Sequence, residues 1–336
     1  MPQRSILCLA LCSLAIGQLG KAHAGTFDVP GAGIGRRQGT LAYSINSAGA
    51  VAGYYVDAKN VRHGYVRDPS GAITTFDPPG SQGTFATSIN TAGAITGQYS
   101  VATLSHGFVR DPTGAFTSFD IAGAGAALYS ESINDSGTVA GYYSDARNVS
   151  HGFVRAPSGT IATFDAPGAT DTYATSVNSA GTVTGYYFDM YHYHGFVRDS
   201  SGSIATFDAP GAVDTYAIVI NAAGDIAGDY FGTDQKWHGF ARTPSGGFTE
   251  FDDSWADLHV TGINSAGGTT GYGDILNGHI SRPASFVRSA LGAIQAFSVP
   301  DALTYAFSVN DAGAVTGYCI DSSNVYHGFL ATFRVP

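Results

Sequence analysis

Cysteine, basic residues and long apolar runs are all scarce in this 336-residue chain. Its three cysteines are Cys8, Cys12 and Cys319, and the first two fall in an N-terminal segment that we expect to be removed. A single remaining thiol cannot form a disulfide framework within the chain. The fold must therefore be stabilised by a packed core, which a chain of this length can bury.

The N-terminal segment has the features of a secretory signal. A basic start precedes the apolar run Ile6–Ile16, and a small-residue A-H-A sequence ends at Ala24, which predicts export with cleavage before Gly25. The apolar run is too short for a permanent membrane-spanning helix. We therefore expect residues 1–24 to be a signal peptide and the remainder to be secreted or periplasmic, without membrane insertion.

Basic residues are too few to favour nucleic acid as a partner. Loss of Arg4 and Lys21 leaves fourteen Lys and Arg residues against 26 Asp and Glu residues, a net charge of −12 with His neutral. Such a chain is a poor partner for phosphate backbones, so we expect no nucleic acid to bind. The sequence also lacks G-x-S-x-G, H-E-x-x-H, a phosphate loop and Cys/His metal spacing, so we expect neither cofactor nor metal.

What the chain has in abundance is a repeat built on the element S-[IV]-N-x-x-G. Its asparagines are separated by 44, 44, 44, 43, 43 and 46 residues, and they are Asn46, Asn90, Asn134, Asn178, Asn221, Asn264 and Asn310. A period near 44 residues is typical of four-stranded propeller blades. We predict an all-β fold over residues 25–336, a single closed seven-bladed β-propeller with four antiparallel strands per blade, and we expect a monomer.

The third repeat illustrates the four strands as YSESI, TVAGYYS, HGFVR and TIATFD. The first and third connections are short glycine-closed turns, whereas the other two, such as residues 55–63 and 77–85, look longer and more varied. Alternate connections lie at opposite ends of a blade, so the longer loops share one face, where function is expected. The last repeat lacks a fourth strand, and we predict that residues 25–28 complete that blade.

The histidine of the recurring H-G-F segment is predicted to face an aspartate. Counting outward from the glycine-closed turn gives the pairs His63–Asp77, His106–Asp120, His151–Asp165, His194–Asp208, His238–Asp252 and, through the N-terminal strand, His327–Asp28. The sixth repeat has Ala284 opposite Ser298, so both partners are missing together. Cross-strand pairs stabilise a sheet, and histidines on separate blades cannot converge on one metal ion. We therefore interpret these pairs as structural.

The arginine that ends the same strand recurs as well, and we assign it a structural role at the turn. These residues are Arg67, Arg110, Arg155, Arg198, Arg242 and Arg288. The repeats [IV]-N-x-x-G-x-[VI]-x-G followed by H-G-F resemble those of the bacterial extracellular HAF repeat family, whose members carry H-A-F. The resemblance covers essentially the whole chain after residue 24. It implies an exported repeat protein and no particular activity.

A ligand site is predicted where one repeat departs from the others near the channel mouth. Five residues before each asparagine stand Leu41, Phe85, Tyr129, Tyr173, Tyr216, His259 and Tyr305. His259 interrupts this largely aromatic series, and Glu131 replaces a commoner threonine nearby. Tyrosine rings stack on sugar rings, so we predict a ligand site composed of Tyr129, Glu131, Tyr173, Tyr216, His259 and Tyr305. Packing of the aromatic rings between blades is an alternative for the same residues.

Two functions fit these features. The first is a non-catalytic module that binds carbohydrate or another surface protein through its longer loops, since similar repeats offer similar contacts. The alternative is a polysaccharide lyase that performs β-elimination on a uronic acid polymer. That reaction needs a base, for which His259 or Tyr216 is a candidate, and a cation such as Arg282 to hold the carboxylate. We favour the binding module.

Overall fold

The computed structural model describes residues 23–251, 255–277 and 280–333, without the side chains of residues 23, 256, 275–277 and 280–282. These residues form 28 β-strands, which confirms the predicted all-β class. Residues 1–22 of the predicted signal peptide lie outside this description. Among the described residues, no helix has the length and apolar character that crossing a bilayer requires.

Four consecutive strands of each repeat pair in chain order, all antiparallel. The first three repeats contribute β2 (Gly39–Ile45), β3 (Val51–Val56), β4 (Arg62–Arg67), β5 (Ile73–Phe76), β6 (Gly83–Ile89), β7 (Ile95–Val101), β8 (Leu104–Arg110), β9 (Phe116–Phe119), β10 (Ala124–Ile133), β11 (Val139–Asp145), β12 (Ser150–Arg155) and β13 (Ile161–Phe164). The next three contribute β14 (Asp171–Val177), β15 (Val183–Phe188), β16 (Tyr193–Arg198), β17 (Ile204–Phe207), β18 (Ala212–Ile220), β19 (Ile226–Gly232), β20 (Trp237–Arg242), β21 (Phe248–Phe251), β22 (Trp255–Ile263), β23 (Thr269–Asn277), β24 (Ile280–Arg288) and β25 (Ile294–Phe297). The four segments predicted for the third repeat correspond to β10–β13.

The seventh repeat is completed from the other end of the chain. It contributes β26 (Leu303–Val309), β27 (Ala314–Ile320) and β28 (Tyr326–Thr332), and β1 (His23–Phe27) pairs antiparallel with β28. A single parallel bridge between Gly39 and Tyr326 joins this set to β2–β5 in one eight-stranded sheet, beside five separate four-stranded sheets. The strand predicted at residues 25–28 is thus β1, which begins two residues earlier.

The asparagine of each S-[IV]-N-x-x-G element has two roles. Its Oδ1 accepts the backbone N–H four residues further on, as Asn46 does from Ala50 at 2.9 Å. Its Nδ2 donates to the backbone carbonyl of the asparagine in the next repeat, at 2.8–3.4 Å in all seven repeats. The last of these bonds runs from Asn310 to Asn46 at 3.0 Å. The asparagines therefore link neighbouring repeats besides closing the predicted turns.

The core consists of clusters between neighbouring sheets. In one of them Phe119 of β9 packs with Leu128, Val139 and Phe153 of the next repeat. The aromatic residue of each H-G-F segment, and of its A-S-F counterpart in the sixth repeat, is fully buried; these residues are Tyr65, Phe108, Phe153, Phe196, Phe240, Phe286 and Phe329. This position thus supplies the largest fully buried side chain of every repeat.

The recurring arginines stack on the neighbouring sheet. The guanidinium carbon of Arg155 lies 5.2 Å from the ring centroid of Phe119, and its Nη1 donates to the carbonyl of Ala156 at 3.3 Å. All six predicted structural arginines make such a ring contact. The carbonyl contact matches the prediction, whereas the cation–π contact was not foreseen.

The connection between the second and third strands is no longer than the first connection. Residues 57–61 join β3 to β4 and residues 46–50 join β2 to β3, five residues in each case. Asp57 Oδ1 accepts the N–H groups of Lys59 and Val61, each at 2.8 Å, and closes the loop. The prediction of a long second connection is therefore wrong. These loops lie at the same end of the sheets as the connections that cross from one sheet to the next. We call this end the crossing-loop face.

Candidate functional site

The first strand of each repeat lies innermost, because first strands of neighbouring repeats pack against one another, including β2 against β26. Each first strand carries a β-bulge three residues before its asparagine. The bulged residues are Tyr43, Thr87, Glu131, Thr175, Ile218, Thr261 and Phe307. A bulge re-aims its side chain, so these seven bulged residues form an inner series on the first strands.

Glu131 is the one carboxylate in this inner series. At the same position Thr87, Thr175 and Thr261 donate hydrogen bonds to carbonyls of the next repeat, which an ionised glutamate cannot do. Desolvation by the surrounding protein raises the pKa of Glu131 to about 7, although the side chain keeps some contact with solvent. Burial raises the pKa of Tyr142, and the nearby charge of Glu131 adds to that effect. The predicted residue Glu131 therefore faces tyrosines in the interior.

The predicted aromatic residues form part of a continuous belt. Ring centroids 4.7–5.5 Å apart connect, in order, Tyr129, Tyr142, Tyr173, Tyr186, Tyr216, Trp237, His259, Tyr272, Tyr305 and Tyr318. The belt continues through Tyr43 and Tyr54 to Phe85. Between Phe85 and Tyr129 the second-strand position holds Gln98, whose Oε1 accepts the N–H of Ser130 at 3.3 Å. We call this series the aromatic belt.

The aromatic belt serves packing and still presents polar edges. Its rings bridge neighbouring sheets, as the packing alternative requires. Tyr129 nevertheless remains 37% exposed, and Tyr173, Tyr216 and Tyr305 are half-buried. Three second strands carry adjacent tyrosines, Tyr54–Tyr55, Tyr142–Tyr143 and Tyr186–Tyr187, and Tyr55, Tyr143 and Tyr187 are buried. The other member of each pair lies in the aromatic belt.

His259 is paired with a buried carboxylate that sequence reasoning missed. Its Nδ1 lies 3.1 Å from Oδ2 of Asp229, and Asp229 Oδ1 accepts the N–H of Val260 at 3.2 Å. Asp229 is only 6% exposed. It occupies the second-strand position held by tyrosine in most repeats, so G-D-Y in place of G-Y-Y was the available signal.

The pair binds a proton more tightly than either group would in water. The hydrogen bond to Asp229 raises the pKa of His259 against the opposing effect of burial. Burial raises the pKa of Asp229 against the opposing effect of His259. Within the part of the chain that the structure describes, Nε2 of His259 has no hydrogen-bond partner. The dyad can therefore donate or accept a proton at Nε2.

The other residues predicted for a lyase are only partly brought together. Trp237 lies between Tyr216 and His259, with ring centroids 5.4 Å and 5.1 Å from theirs. Burial raises the pKa of Tyr216, and the charge of Asp214 adds to the effect, which makes Tyr216 a poor base. The side chain of Arg282 lies outside the described residues. Of these candidates, His259 has the surroundings best suited to proton transfer.

Five of the six predicted His–Asp pairs lie within hydrogen-bond distance. The Nδ1-to-carboxylate distances are 2.7 Å for His63–Asp77, 2.6 Å for His106–Asp120, 2.8 Å for His151–Asp165, 2.8 Å for His194–Asp208 and 2.9 Å for His327–Asp28. Asp252, the predicted partner of His238, lies outside the described residues. Among the residues that are described, no three His, Cys, Asp or Glu side chains are grouped to hold a metal ion.

Most of these histidines contact a second carboxylate through Nε2. The distances are 3.6 Å for His63–Asp57, 3.8 Å for His151–Asp145, 3.2 Å for His194–Asp189, 3.0 Å for His238–Asp234 and 3.6 Å for His327–Asp321. The ring also lies against the buried tyrosine of the second strand, as His151 does against Tyr143 at 5.3 Å. The imidazoles are thus held on three sides by groups of their own and the adjoining strands.

A cavity of about 230 Å³ opens at the opposite end of the sheets, among the asparagine turns. Its apolar wall includes Ile45, Ile89 and Ile133, and its rim includes Asp135 and Asp311. The two carboxylates accept backbone N–H groups of Thr91 and Ser265 at 2.9 Å and 2.8 Å. This cavity shares no residue with the predicted ligand site.

Comparison with known proteins identifies the fold. No protein-family model matches the chain, and no curated protein matches it. A catalytically inactive virginiamycin B lyase from Staphylococcus aureus, solved with quinupristin, aligns over 93% of this chain and 100% of its own, at 13% identity and a TM-score of 0.61. The β-propeller domain of the Trilobed protease from Pyrococcus furiosus aligns over 88% and 94%, at 12% identity and a TM-score of 0.60.

TolB from Acinetobacter baumannii aligns over 81% of this chain and 76% of its own, at 10% identity and a TM-score of 0.52. Together with the four-stranded antiparallel sheets, these similarities show that the chain has a β-propeller fold. At such identities they show the fold alone, because one fold hosts many functions.

Proposed function

We propose that the chain is an exported, closed seven-bladed β-propeller, built from HAF-type repeats, that binds carbohydrate through the crossing-loop face without catalysing a reaction. The support for closure is the run of asparagine bonds, which returns from Asn310 to Asn46 at 3.0 Å. Export is supported by the sequence of residues 1–24. A closed ring leaves no inner sheet edge free for aggregation.

Carbohydrate is the favoured ligand because of the aromatic belt. Its tyrosines keep partly exposed rings and hydroxyl groups, and Tyr129 exposes 37% of its surface. Such side chains stack on the apolar face of a sugar and hydrogen-bond to its hydroxyls. The partly exposed tyrosines of the aromatic belt are the single observation that carries this proposal.

A glycan array with the purified protein tests the proposal. We expect binding to at least one oligosaccharide class, weakened about tenfold by Tyr173→Ala, since stacking contributes about 1 kcal/mol beyond the buried area. Tyr191→Ala is the matched control, because Tyr191 is 76% exposed and outside the aromatic belt. Equal losses from both substitutions, or no glycan binding at all, would refute carbohydrate recognition by the belt.

The second candidate is a polysaccharide lyase, and the Asp229–His259 dyad is the observation that favours it. The dyad provides a base whose buried carboxylate stabilises the protonated imidazole. An absorbance assay for unsaturated uronate products, run beside the array, distinguishes the two functions. Product formation that His259→Ala abolishes would establish the lyase. Glycan binding without product would support the binding module.

A further inference from the structure

Among the described residues, most of the exposed cations are grouped at one place on this acidic protein. Of sixteen Lys and Arg residues, Arg4 and Lys21 fall in the predicted signal peptide, and six arginines stack on phenylalanine rings between sheets. Four of the remaining eight lie close together in the first repeat. Two adjoining loops carry Arg36, Arg37 and Lys59, and Arg62 is the first residue of β4. We call these four residues the basic patch.

The loop that carries Arg36 and Arg37 has no counterpart in the other repeats. The repeat asparagine Asn46 lies eighteen positions after Asp28, the aspartate of its H-G-F pair, whereas Asn178 lies thirteen positions after Asp165. The five additional residues lie on the crossing-loop face. A departure confined to one repeat is where a repeat protein is expected to carry a specific function.

Hydrogen bonds fix this loop against its neighbours on both sides. The buried side chain of Gln38 accepts the N–H of Gly35 at 2.9 Å and donates to the carbonyl of Ala58 and to Asn60 Oδ1 at 3.3 Å and 3.0 Å. The N–H of Arg37 donates to the carbonyl of Asn324 at 2.7 Å. The two arginines are therefore presented from a preorganised backbone, which lowers the entropy cost of binding.

All four side chains of the basic patch are exposed. Across the described ranges, every recorded ion pair within 4.0 Å involves a histidine, so no carboxylate neutralises these four cations. Asp57, the acid in the same loops, accepts the N–H groups of Lys59 and Val61 and contacts His63. The patch therefore keeps its positive potential over the short distance that salt leaves unscreened.

The basic patch adjoins the aromatic belt. The guanidinium carbon of Arg62 lies 4.9 Å from the ring centroid of Phe85, at the end of the belt, and Phe85 contacts Tyr54 at 5.0 Å. Aromatic side chains beside guanidinium groups suit a sugar that carries an anionic group. The aromatic ring contacts the sugar ring, and the guanidinium N–H groups donate to the anionic group.

We propose, on the basis of the carbohydrate-binding function above, that the ligand is an acidic polysaccharide whose carboxylate groups bind to Arg36, Arg37, Lys59 and Arg62. Sugar rings of the same chain then extend over the aromatic belt. A carboxylate-bearing polypeptide is the competing ligand, and it lacks the sugar rings that the belt would contact.

Calorimetry with the full-length mature protein at two salt concentrations tests this assignment. The ligands are oligogalacturonate, cellohexaose and poly-glutamate. We expect oligogalacturonate to bind more tightly than cellohexaose, and more weakly at high salt. Arg36→Ala with Arg37→Gly should weaken oligogalacturonate binding about tenfold, as expected for two exposed ion pairs, and leave cellohexaose binding unchanged. Glycine suits position 37 because φ is 62° there.

Arg147→Ala with Lys236→Ala is the matched control, since it removes two exposed cations from other loops. The role of the basic patch would be refuted if the Arg36/Arg37 variant bound oligogalacturonate with unchanged affinity. If cellohexaose also bound, the proposal of carbohydrate binding would still stand. Patch-dependent binding of poly-glutamate without binding of either sugar would overturn both proposals. Equal melting temperatures of the two double variants make these results independent of folding.

Discussion

The histidine of H-G-F is a structural group at the scale of single contacts. The Nδ1–H of His151 donates to Asp165 Oδ1 at 2.8 Å, and its ring contacts Asp145 through Nε2 at 3.8 Å and lies against Tyr143. The same surroundings recur around histidines of separate sheets. A group whose hydrogen-bonding atoms are already engaged by its own sheet has little capacity for a substrate.

Coupling between His151 and Asp165 should therefore be measurable in the free energy of unfolding. We expect a double-mutant cycle with His151→Ala and Asp165→Ala to give about 1 kcal/mol, the upper range for a directly opposed cross-strand pair. Denaturant titration of the four proteins measures it. A parallel cycle of His151 with exposed Arg147 is the control, and additive effects in both cycles would show that the pair contributes nothing.

The same contacts predict how stability depends on pH. Partial burial lowers the pKa of His194, but hydrogen bonds and charges of Asp208 and Asp189 outweigh it and raise the pKa overall. Because the pKa of His194 is higher in the folded than in the unfolded state, its protonation stabilises the fold. This stabilisation is complete below the unfolded-state pKa of about 6.5 and is lost as the pH rises through the folded-state pKa. The N–H groups of His192 and Tyr191 lower the pKa of Asp189 to about 2. The contribution of Asp189 to folding stability is therefore complete above about pH 3.9, its unfolded pKa, and is lost as the pH falls towards 2.

Thermal melts across pH should thus show a maximum between about pH 4 and 6.5. His194→Gln should remove part of the decline on the alkaline side, because a neutral side chain has no proton to lose. His192→Gln is the control, since His192 is more exposed and lies 3.5 Å from its carboxylate. A melting temperature that rises steadily from pH 5 to 8 would contradict this assignment.

The glycine of H-G-F is required by the ring that covers it. A Cβ at Gly152 would lie 2.6 Å from the ring of Phe164, so Gly152→Ala should destabilise the fold by about 1–3 kcal/mol through overpacking. Gly25→Ala is the control, because a Cβ there meets no atom within 4 Å. Differential scanning calorimetry compares the two variants, and equal melting temperatures would contradict the steric argument.

At the scale of elements, the asparagine of each repeat joins one hairpin to the next. Asn134 Oδ1 accepts the N–H of Thr138 within its own hairpin at 2.9 Å, and its Nδ2 donates to the carbonyl of Asn178 in the next repeat at 2.8 Å. Asn134→Asp keeps the acceptor and removes the donor. We expect a loss of about 1–3 kcal/mol, since a buried carbonyl loses its partner and a charge is buried.

Urea titration measures the free energy of unfolding of Asn134→Asp and of the control Asn148→Asp. Because Asn148 is an exposed loop residue, the control adds the same negative charge without removing a bond between repeats. A similar loss in both variants would show that the bond to Asn178 is not the cause.

Element positions could be predicted from the sequence because each one depends on local chemistry. The turn glycine fixes the register of a hairpin, and the register places His151 beside Asp165. The bond from Asn134 to the next repeat could not be foreseen, because the same residue type already explained the turn. Asp229 was missed because its partner His259 is thirty residues away on another sheet, and no local pattern reports such a contact.

At the scale of the whole molecule, strands from the two ends of the described chain pair with each other. β1 pairs with β28 over five residues, from His23–Thr332 to Phe27–Gly328. Beyond the strand, Asp28 contacts His327 at 2.9 Å, and Val29 is only 2% exposed. The predicted cleavage before Gly25 would leave three of the five paired residues and all of these contacts in place.

Deleting residues 25–33 from the mature protein should therefore lower its melting temperature by about 10 °C or more, the shift expected from losing several kcal/mol in a protein larger than 250 residues. The deletion uncovers Gly328 and the neighbouring core, and it leaves Arg67 without the Phe27 ring that lies 5.2 Å from its guanidinium carbon. The mature protein beginning at His23 is the control, and its melting temperature should differ little from that of one beginning at Gly25. An unchanged melt after the longer deletion would show that β1 does not hold the ends of the propeller together, because a blade that remains equally stable without its outer strand cannot depend on that strand for closure.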